Sequence, residues 1–343
     1  MYFASMVVAE HFCSRINNIK LTLSIYYRKM ENSCNFVSSR GILKSCTFHS
    51  SNPRSSWCYD TEYLHIMLRE NKMFDGMSIY VCTDVIPYFI DSILPHITNT
   101  FFLVCGDSDA TVPDGIIDMW HNPRKLETIK CLELLTHPKL IKWFAQNCIL
   151  HHEKIDQLPI GLDYHTIAND PNKPWRDAHE GCSPKEQEEI LLNIRNTMKP
   201  IHDRIFKIFV NFTVDLSNEH DQRTIILKQI PQHLTVQTDI GFKPRTHVWK
   251  RMAEYSFVLS PYGNGPDCHR TWEILCLGCI PIIKSFGTCK MFEGLPVLLV
   301  KEWSDVTETL LQDTLETFKH TNFNYDKLLL RYWVNSFSLK GVT

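Results

Sequence analysis

Arg270 and Glu273 stand three residues apart, just after a short stretch that holds two glycines, Gly263 and Gly265. On a helix this spacing puts the guanidinium and the carboxylate on one face. An arginine so placed suits a diphosphate, and a carboxylate suits ribose hydroxyls. The surrounding residues, 256–285, read SFVLSPYGNGPDCHRTWEILCLGCIPIIKS. Phe257, Val258 and Leu259 form an apolar run that stops at Ser260 and Pro261. Trp272, Ile274, Leu275 and Leu277 then recur at roughly helical spacing until Gly278, and residues 279–283 are again apolar. The pattern is strand, glycine loop, helix, strand, with the loop over the carboxyl end of the first strand. A helix N-terminus at that place in an open α/β sheet offers N–H groups to phosphate. The loop is not a P-loop, since no GK[ST] follows, and G-x-G-x-x-G is incomplete. Two glycines alone mark a tight turn as readily as a ligand. Arg270 and Glu273 on the next helix tip the reading toward a ligand.

Other elements must hold this unit in place. Residues 77–82 (MSIYVC) and 100–105 (TFFLVC) read as buried strands, the second ending in Gly106-Asp107-Ser108-Asp109. Helical spacing is expected over 59–69, over 86–97 between two prolines, and over 138–147, which contains Trp143 and Phe144. Residues 21–27 could be a strand or a short helix. Ser183 is a candidate N-cap before Pro184, Lys185 and Glu186, for a helix reaching about residue 198. The pattern then restarts, with strands over 205–214, 234–237 and 297–300 and helices over 223–229, 247–254, 303–319 and 325–337. Strands alternating with helices in both halves predict an α/β protein of two doubly wound, Rossmann-like domains facing a cleft. The division falls at 1–200 and 201–343, with the last helix able to pack back on the first domain.

The totals exclude several classes. In 343 residues, 36 Lys and Arg against 38 Asp and Glu leave a net charge of −2, which gives no electrostatic footprint for nucleic acid. No stretch approaches the roughly 20 apolar residues of a membrane span, and the first residues lack a signal-peptide pattern. Thirteen cysteines form no CxxC pair and no zinc-site spacing. Cys82, Cys105, Cys276 and Cys279 sit inside apolar runs, as small buried hydrophobes do. These features point to a soluble intracellular or cytoplasmic protein with free thiols.

The run SPYGNGPDCHRTWEILCLGCIPII resembles the sugar-nucleotide segment of exostosin-like glycosyltransferases: a strand, Pro and Gly, Arg, Glu, then Gly-Cys-Ile-Pro. The similarity is strongest over 245–300. A weaker one to viral and microbial members of the group covers GDSDATVP, WFAQN and LPIGLDYH. The resemblance implies a GT-B architecture with the donor on the C-terminal domain and a glycan or glycoprotein as acceptor. It favours a UDP-sugar and inversion. By position, Arg270 would meet the donor diphosphate and Glu273 the ribose, with Gly263 and Gly265 admitting the donor to the backbone. Pro261, Asp267 and His269 belong to the same segment. Arg223, and Lys243 or Arg245, are further phosphate candidates. Unlike animal exostosins, the chain has a single such unit and no membrane anchor, so Golgi residence and heparan sulfate synthesis do not carry over.

Glycosyl transfer needs positive charge or helix dipoles for the leaving diphosphate, and a base for the acceptor hydroxyl. Arg270 and a helix N-terminus can do the first without a metal, so no cofactor is required. The base should come from the N-terminal half. Asp109, Asp107, Asp163 and His165 follow apolar runs there, Asp109 slightly ahead of the others. Turn-capping aspartates and a core histidine are the plain alternatives. Two rival readings remain. Asp107 and Asp109 form the Asp-x-Asp of a metal-dependent GT-A transferase, or the chain is a carbohydrate-binding protein with a degenerate transferase fold.

Overall fold

The computed structural model describes residues 31–53, 60–115, 117–118, 124–125, 128–170, 172–176, 183–212, 223–238, 243–287 and 289–338. Residues 21–27, read above as a strand or short helix, lie outside them.

Two parallel sheets form the frame. In the first, β1 (Met77–Cys82), β2 (Phe101–Gly106), β3 (Leu140–Gln146) and β4 (Ile155–Leu158) lie side by side in chain order. Every pairing is parallel. The second holds β5 (Ile205–Val210), β6 (Thr235–Gln237), β7 (Tyr255–Leu259), β8 (Ile280–Lys284) and β9 (Leu298–Val300), in the spatial order β9-β8-β7-β5-β6. Chain order runs outward in both directions from β5. The neighbours β5 and β7 therefore flank a topological switch point, where open α/β sheets bind ligands.

Ten helices, with a two-stranded antiparallel ladder of Ile117–Asp118 against Arg124–Lys125, complete the described chain apart from short turns. The helices are α1 (Ser39–Ser45), α2 (Glu62–Arg69), α3 (Thr128–Thr136), α4 (His165–Asn169), α5 (Pro184–Thr197), α6 (Arg223–Gln229), α7 (Arg245–Ala253), α8 (His269–Cys276), α9 (Glu308–Lys319) and α10 (Leu330–Ser336). The start of α5 is set by a capping box between Ser183 and Glu186, with Pro184 at the first turn.

Strand alternation sorts the core into layers. Phe101, Leu103 and Cys105 of β2 face one core with α2 and Trp143, while Phe102 and Val104 face the other way. On the second sheet Ile208, Phe257 and Leu259 pack with Trp303 and Leu311, and Phe209 and Val258 turn the opposite way. The inward faces of both sheets share one apolar cluster, which also takes Trp272, Trp333 and Phe337. Phe337, just past α10, meets Phe144 of the first sheet with ring centroids 6.0 Å apart. Conversely α5 reaches the second half, where Arg195 donates to the Cys276 carbonyl at 3.2 Å.

Four expectations need correction. Residues 325–337 are a single turn, Tyr325–Leu328, and the separate helix α10, broken at Leu329, whose backbone is extended. Residues 138–147 are mainly strand β3, not helix, because Trp143 and Ala145 face one core and Phe144 the other. That is a period of two in a strand covered on both faces. Residues 303–319 are a turn, Trp303–Asp305, and a separate helix α9, since Thr307 caps α9 by accepting from the Leu310 N–H at 3.1 Å. Residues 86–97 break into short turns of different pitch rather than one helix. Every cysteine among the described residues is a free thiol.

Candidate functional site

The carboxyl ends of both sheets meet. Asn211 follows β5 and Ser260 follows β7, so both stand at the switch point, and α8 begins over them. Its first residues are His269 and Arg270, and the N-cap Cys268 gives the helix no side-chain cap. The first-turn N–H groups are thus left without a side-chain acceptor from the N-cap. Arg270 donates through Nη2 to the Asn211 carbonyl at 3.2 Å and through Nη1 to the Asn211 side-chain oxygen. Both acceptors are neutral, and among the described residues no carboxylate lies within ion-pair distance of Arg270. Burial pushes its pKa down, with Glu273 opposing and the like charge of Arg223 adding to the shift. Arg223, at the start of α6, donates to the Tyr262 carbonyl from Nε at 3.1 Å and Nη2 at 2.8 Å, and lies over the Phe212 ring. Tyr262 is fixed in turn by its hydroxyl, which donates to the Ser285 carbonyl at 3.0 Å. Two guanidiniums close enough to repel are held at one switch point. That concentrates positive charge where an anion would bind.

The glycine loop is shaped from within. The Gly263 N–H donates to Cys268 Sγ at 2.9 Å, and the thiol lies 3.5 Å from the Pro261 carbonyl. Gly265 serves the other half: a Cβ there would stand 2.7 Å from Asn147 Nδ2 and 2.9 Å from the Asp109 carbonyl. Its lack of a side chain lets the halves meet. Asp267 is likewise a tie rather than a free contact. Its carboxylate accepts from the Ile160 N–H at 2.7 Å and from Trp272 Nε1 at 3.0 Å, while its own N–H donates to Asn147 Oδ1 at 3.1 Å. Burial raises its pKa to about 6 against those donors.

A second charged cluster lies on the first half's side of this seam. Asp163 accepts from Arg245 Nη2 at 3.1 Å and from the Thr166 N–H at 3.0 Å, and lies 3.2 Å from His165 Nδ1. Arg245 also donates to the Asp163 carbonyl and to Gln187 Oε1 at 3.0 Å, and its Nε is 3.8 Å from Glu273. Burial pushes the Asp163 carboxyl up, but Arg245, then His165 and His269, outweigh it and hold it well below the usual carboxylate range. For His165 burial dominates and pushes the pKa down to about 4. His269 donates Nδ1–H to the Gly161 carbonyl at 2.7 Å and meets the His165 ring edge-on, with centroids 6.4 Å apart. Asp107, at a positive φ of 57°, is buried against Arg40 of α1 at 2.5 Å. Glu31 is buried, accepts from the Ser38 hydroxyl at 2.8 Å and lies 4.0 Å from His165, and burial raises its pKa to about 8.

The sequence-derived candidates therefore separate. Arg270, Glu273 and Arg223 gather at the switch point, with Pro261 and Gly263 in the adjoining loop. Arg245 is corrected from phosphate ligand to clasp, since its guanidinium is spent on Asp163 and Gln187. Lys243 is exposed. Asp107 and Asp163 sit at the seam, but each is locked to an arginine, which leaves a poor base. Asp109 is exposed and accepts an exposed hydrogen bond from Asn264 at 3.3 Å. The residues that sequence reasoning missed are Asn211, Arg40, Glu31, Gln187 and Tyr262. Asn211 carries one signal, as the first residue of the Asn211-Phe212-Thr213 sequon, and Thr213 lies outside the described residues. Among the described residues no group of three or more His, Cys, Asp or Glu could hold a metal ion, and no helix is long and apolar enough to cross a membrane.

No family model and no curated protein matches the chain. Among solved structures it is similar to an α1,3-fucosyltransferase, at 11% identity over 86% of this chain and 92% of that one, with a TM-score of 0.35. An α1,3-fucosyltransferase with GDP gives 13%, 88%, 94% and 0.34. The OtsA apo structure gives 10%, 82%, 76% and 0.33.

Proposed function

We propose that the chain is a GT-B-type glycosyltransferase that moves a sugar from a nucleotide-sugar donor to a glycan hydroxyl. The observation that carries this reading is the Arg270 guanidinium, held by neutral acceptors at the switch point of the second sheet. Half-buried positive charge without a carboxylate at ion-pair distance is completed well by an anion. The diphosphate of a nucleotide sugar is such an anion. Its oxygens would take Arg270 and the first-turn N–H groups of α8, with Arg223 adding field behind them. Glu273, one turn on, accepts ribose hydroxyls, and Arg245 steadies its carboxylate from the far side. The same groups stabilise the charge that grows on the diphosphate as the glycosidic bond breaks, which is where electrostatic catalysis acts. A UDP-sugar donor, inversion and independence of metal extend this reading from the exostosin-like motif.

Calorimetric titration with UDP and GDP tests it. Removing a charge-assisted contact costs about 1.5–3 kcal/mol, so Arg270→Ala should bind the preferred nucleotide roughly 10- to 150-fold more weakly. Unchanged affinity in that variant would remove the assignment.

A further inference from the structure

The proposed transfer needs a group to take the acceptor proton; Asp107 and Asp163 are each locked to an arginine, and Asp109 stands exposed beside the glycine loop, bonded to Asn264. We propose that His269 is that base, a role that rests on the transferase reading above. Three features support it. The Gly161 carbonyl can only accept, so the 2.7 Å contact fixes the proton on Nδ1. The neutral ring then keeps its lone pair on Nε2, as a base requires. Second, His269 directly precedes Arg270 in the first turn of α8, so the two side chains leave that turn about 100° apart. One helix start thereby carries both the diphosphate contact and the base. It does so at the seam where Gly161, from the first half, would border the acceptor. Third, His269 is half-buried, unlike the enclosed Asp107 and Asp267.

The charges around the ring suit a proton that arrives during reaction. Asp107 after β2, Asp163 after β4 and Asp267 on its own loop would each be favoured as a carboxylate by a positive charge on His269. Arg40 of α1 and Arg245 of α7 pair with the first two, His165 meets the ring edge-on, and Cys268, Arg270 and Glu273 are charged or titratable neighbours on its own element. An imidazolium formed here meets three carboxylates from three loops. In the step itself, the acceptor O–H proton moves to His269 Nε2 as the acceptor oxygen bonds to the anomeric carbon. The anomeric carbon–oxygen bond to the diphosphate breaks, and its electron pair leaves with the nucleoside diphosphate. The imidazolium then returns its proton to solvent.

The test measures nucleoside diphosphate release from a UDP-hexose with water as acceptor. His269→Gln keeps an N–H for the Gly161 carbonyl but has no basic nitrogen. Its rate at saturating donor should fall about 10²- to 10⁴-fold, the usual contribution of general base catalysis. Its nucleotide Kd should stay within about two-fold of the wild type. The acid limb of the pH–rate profile should vanish with it, and added imidazole should restore part of the rate of His269→Ala. A merely structural histidine would show no such rescue. An undiminished rate, a loss explained by donor affinity alone, or an Ala variant that binds nucleotide but ignores imidazole would each overturn the assignment. Those outcomes leave the transferase reading standing. A wild-type protein that turns over no nucleotide sugar would bring down both.

Discussion

Arg270 and Arg245 are built into neighbouring helices of the same half, and their surroundings give them opposite tasks. Arg245 meets the Asp163 carboxylate, the Asp163 carbonyl and the Gln187 amide, so its charge is cancelled locally and its donors are spent. Among the described residues Arg270 donates to the amide oxygen and carbonyl of Asn211 and has no carboxylate at ion-pair distance, so its charge is fixed in place and only partly offset, by Glu273. Arg40, buried against Asp107, belongs with Arg245. A guanidinium in a cleft is therefore a ligand group or a structural clasp according to what neutralises it. Spacing in the sequence does not distinguish the two.

The sharpest way to break that comparison is denaturation of the arginine variants. Arg40→Ala leaves a buried carboxylate without its partner and should cost about 3–5 kcal/mol of stability. Arg245→Ala should cost about 1.5–3 kcal/mol, since Asp163 loses its charged donor. Arg270→Ala should melt close to the wild type while losing nucleotide affinity. An Arg270 variant as unstable as the Arg245 one would erase the distinction. A smaller effect concerns pH. The folded-state pKa of Glu31 is raised from 4.5 to about 8, so the folded state holds an extra proton through that window. Its contribution is full below the lower value and is lost as pH rises through the upper one. Glu31→Gln cannot ionise, so the fall in Tm from about pH 5 to pH 8 should be shallower than in the wild type. Parallel Tm profiles would show that Glu31 is not the proton-linked group. The smallest effect belongs to Asp109→Asn. Its exposed bond to Asn264 should be worth under about 0.5 kcal/mol, and turnover should survive if His269 is the base. Lost turnover with intact donor binding would return that role to Asp109.

The second half of the chain was the more legible one. Its strands lie next to their turn signals, and Arg270 and Glu273 share a helix face by local spacing alone. Their partners were not legible. Asn211 lies 59 residues from Arg270, and Asp107 lies 67 from Arg40. Only the fold brings such pairs together. Glu31 and Arg40 fall in a stretch with no strand or helix period to mark it. The strand at 140–146 was hidden because a segment buried on both faces loses the polar alternation that identifies a strand. The locked state of Arg245 could not be read at all, because it depends on Asp163, which is 82 residues away.

Gly265 has a consequence of a mechanical kind. With any side chain there within 3 Å of Asn147 and the Asp109 carbonyl, the position works as a clearance gauge for the two edges. Even a single methyl group would act as a shim, prising Asp267 from Ile160 and His269 from Gly161 together. The residue contributes no side chain to the chemistry, yet its emptiness sets how closely the glycine loop can approach Asn147 and Asp109.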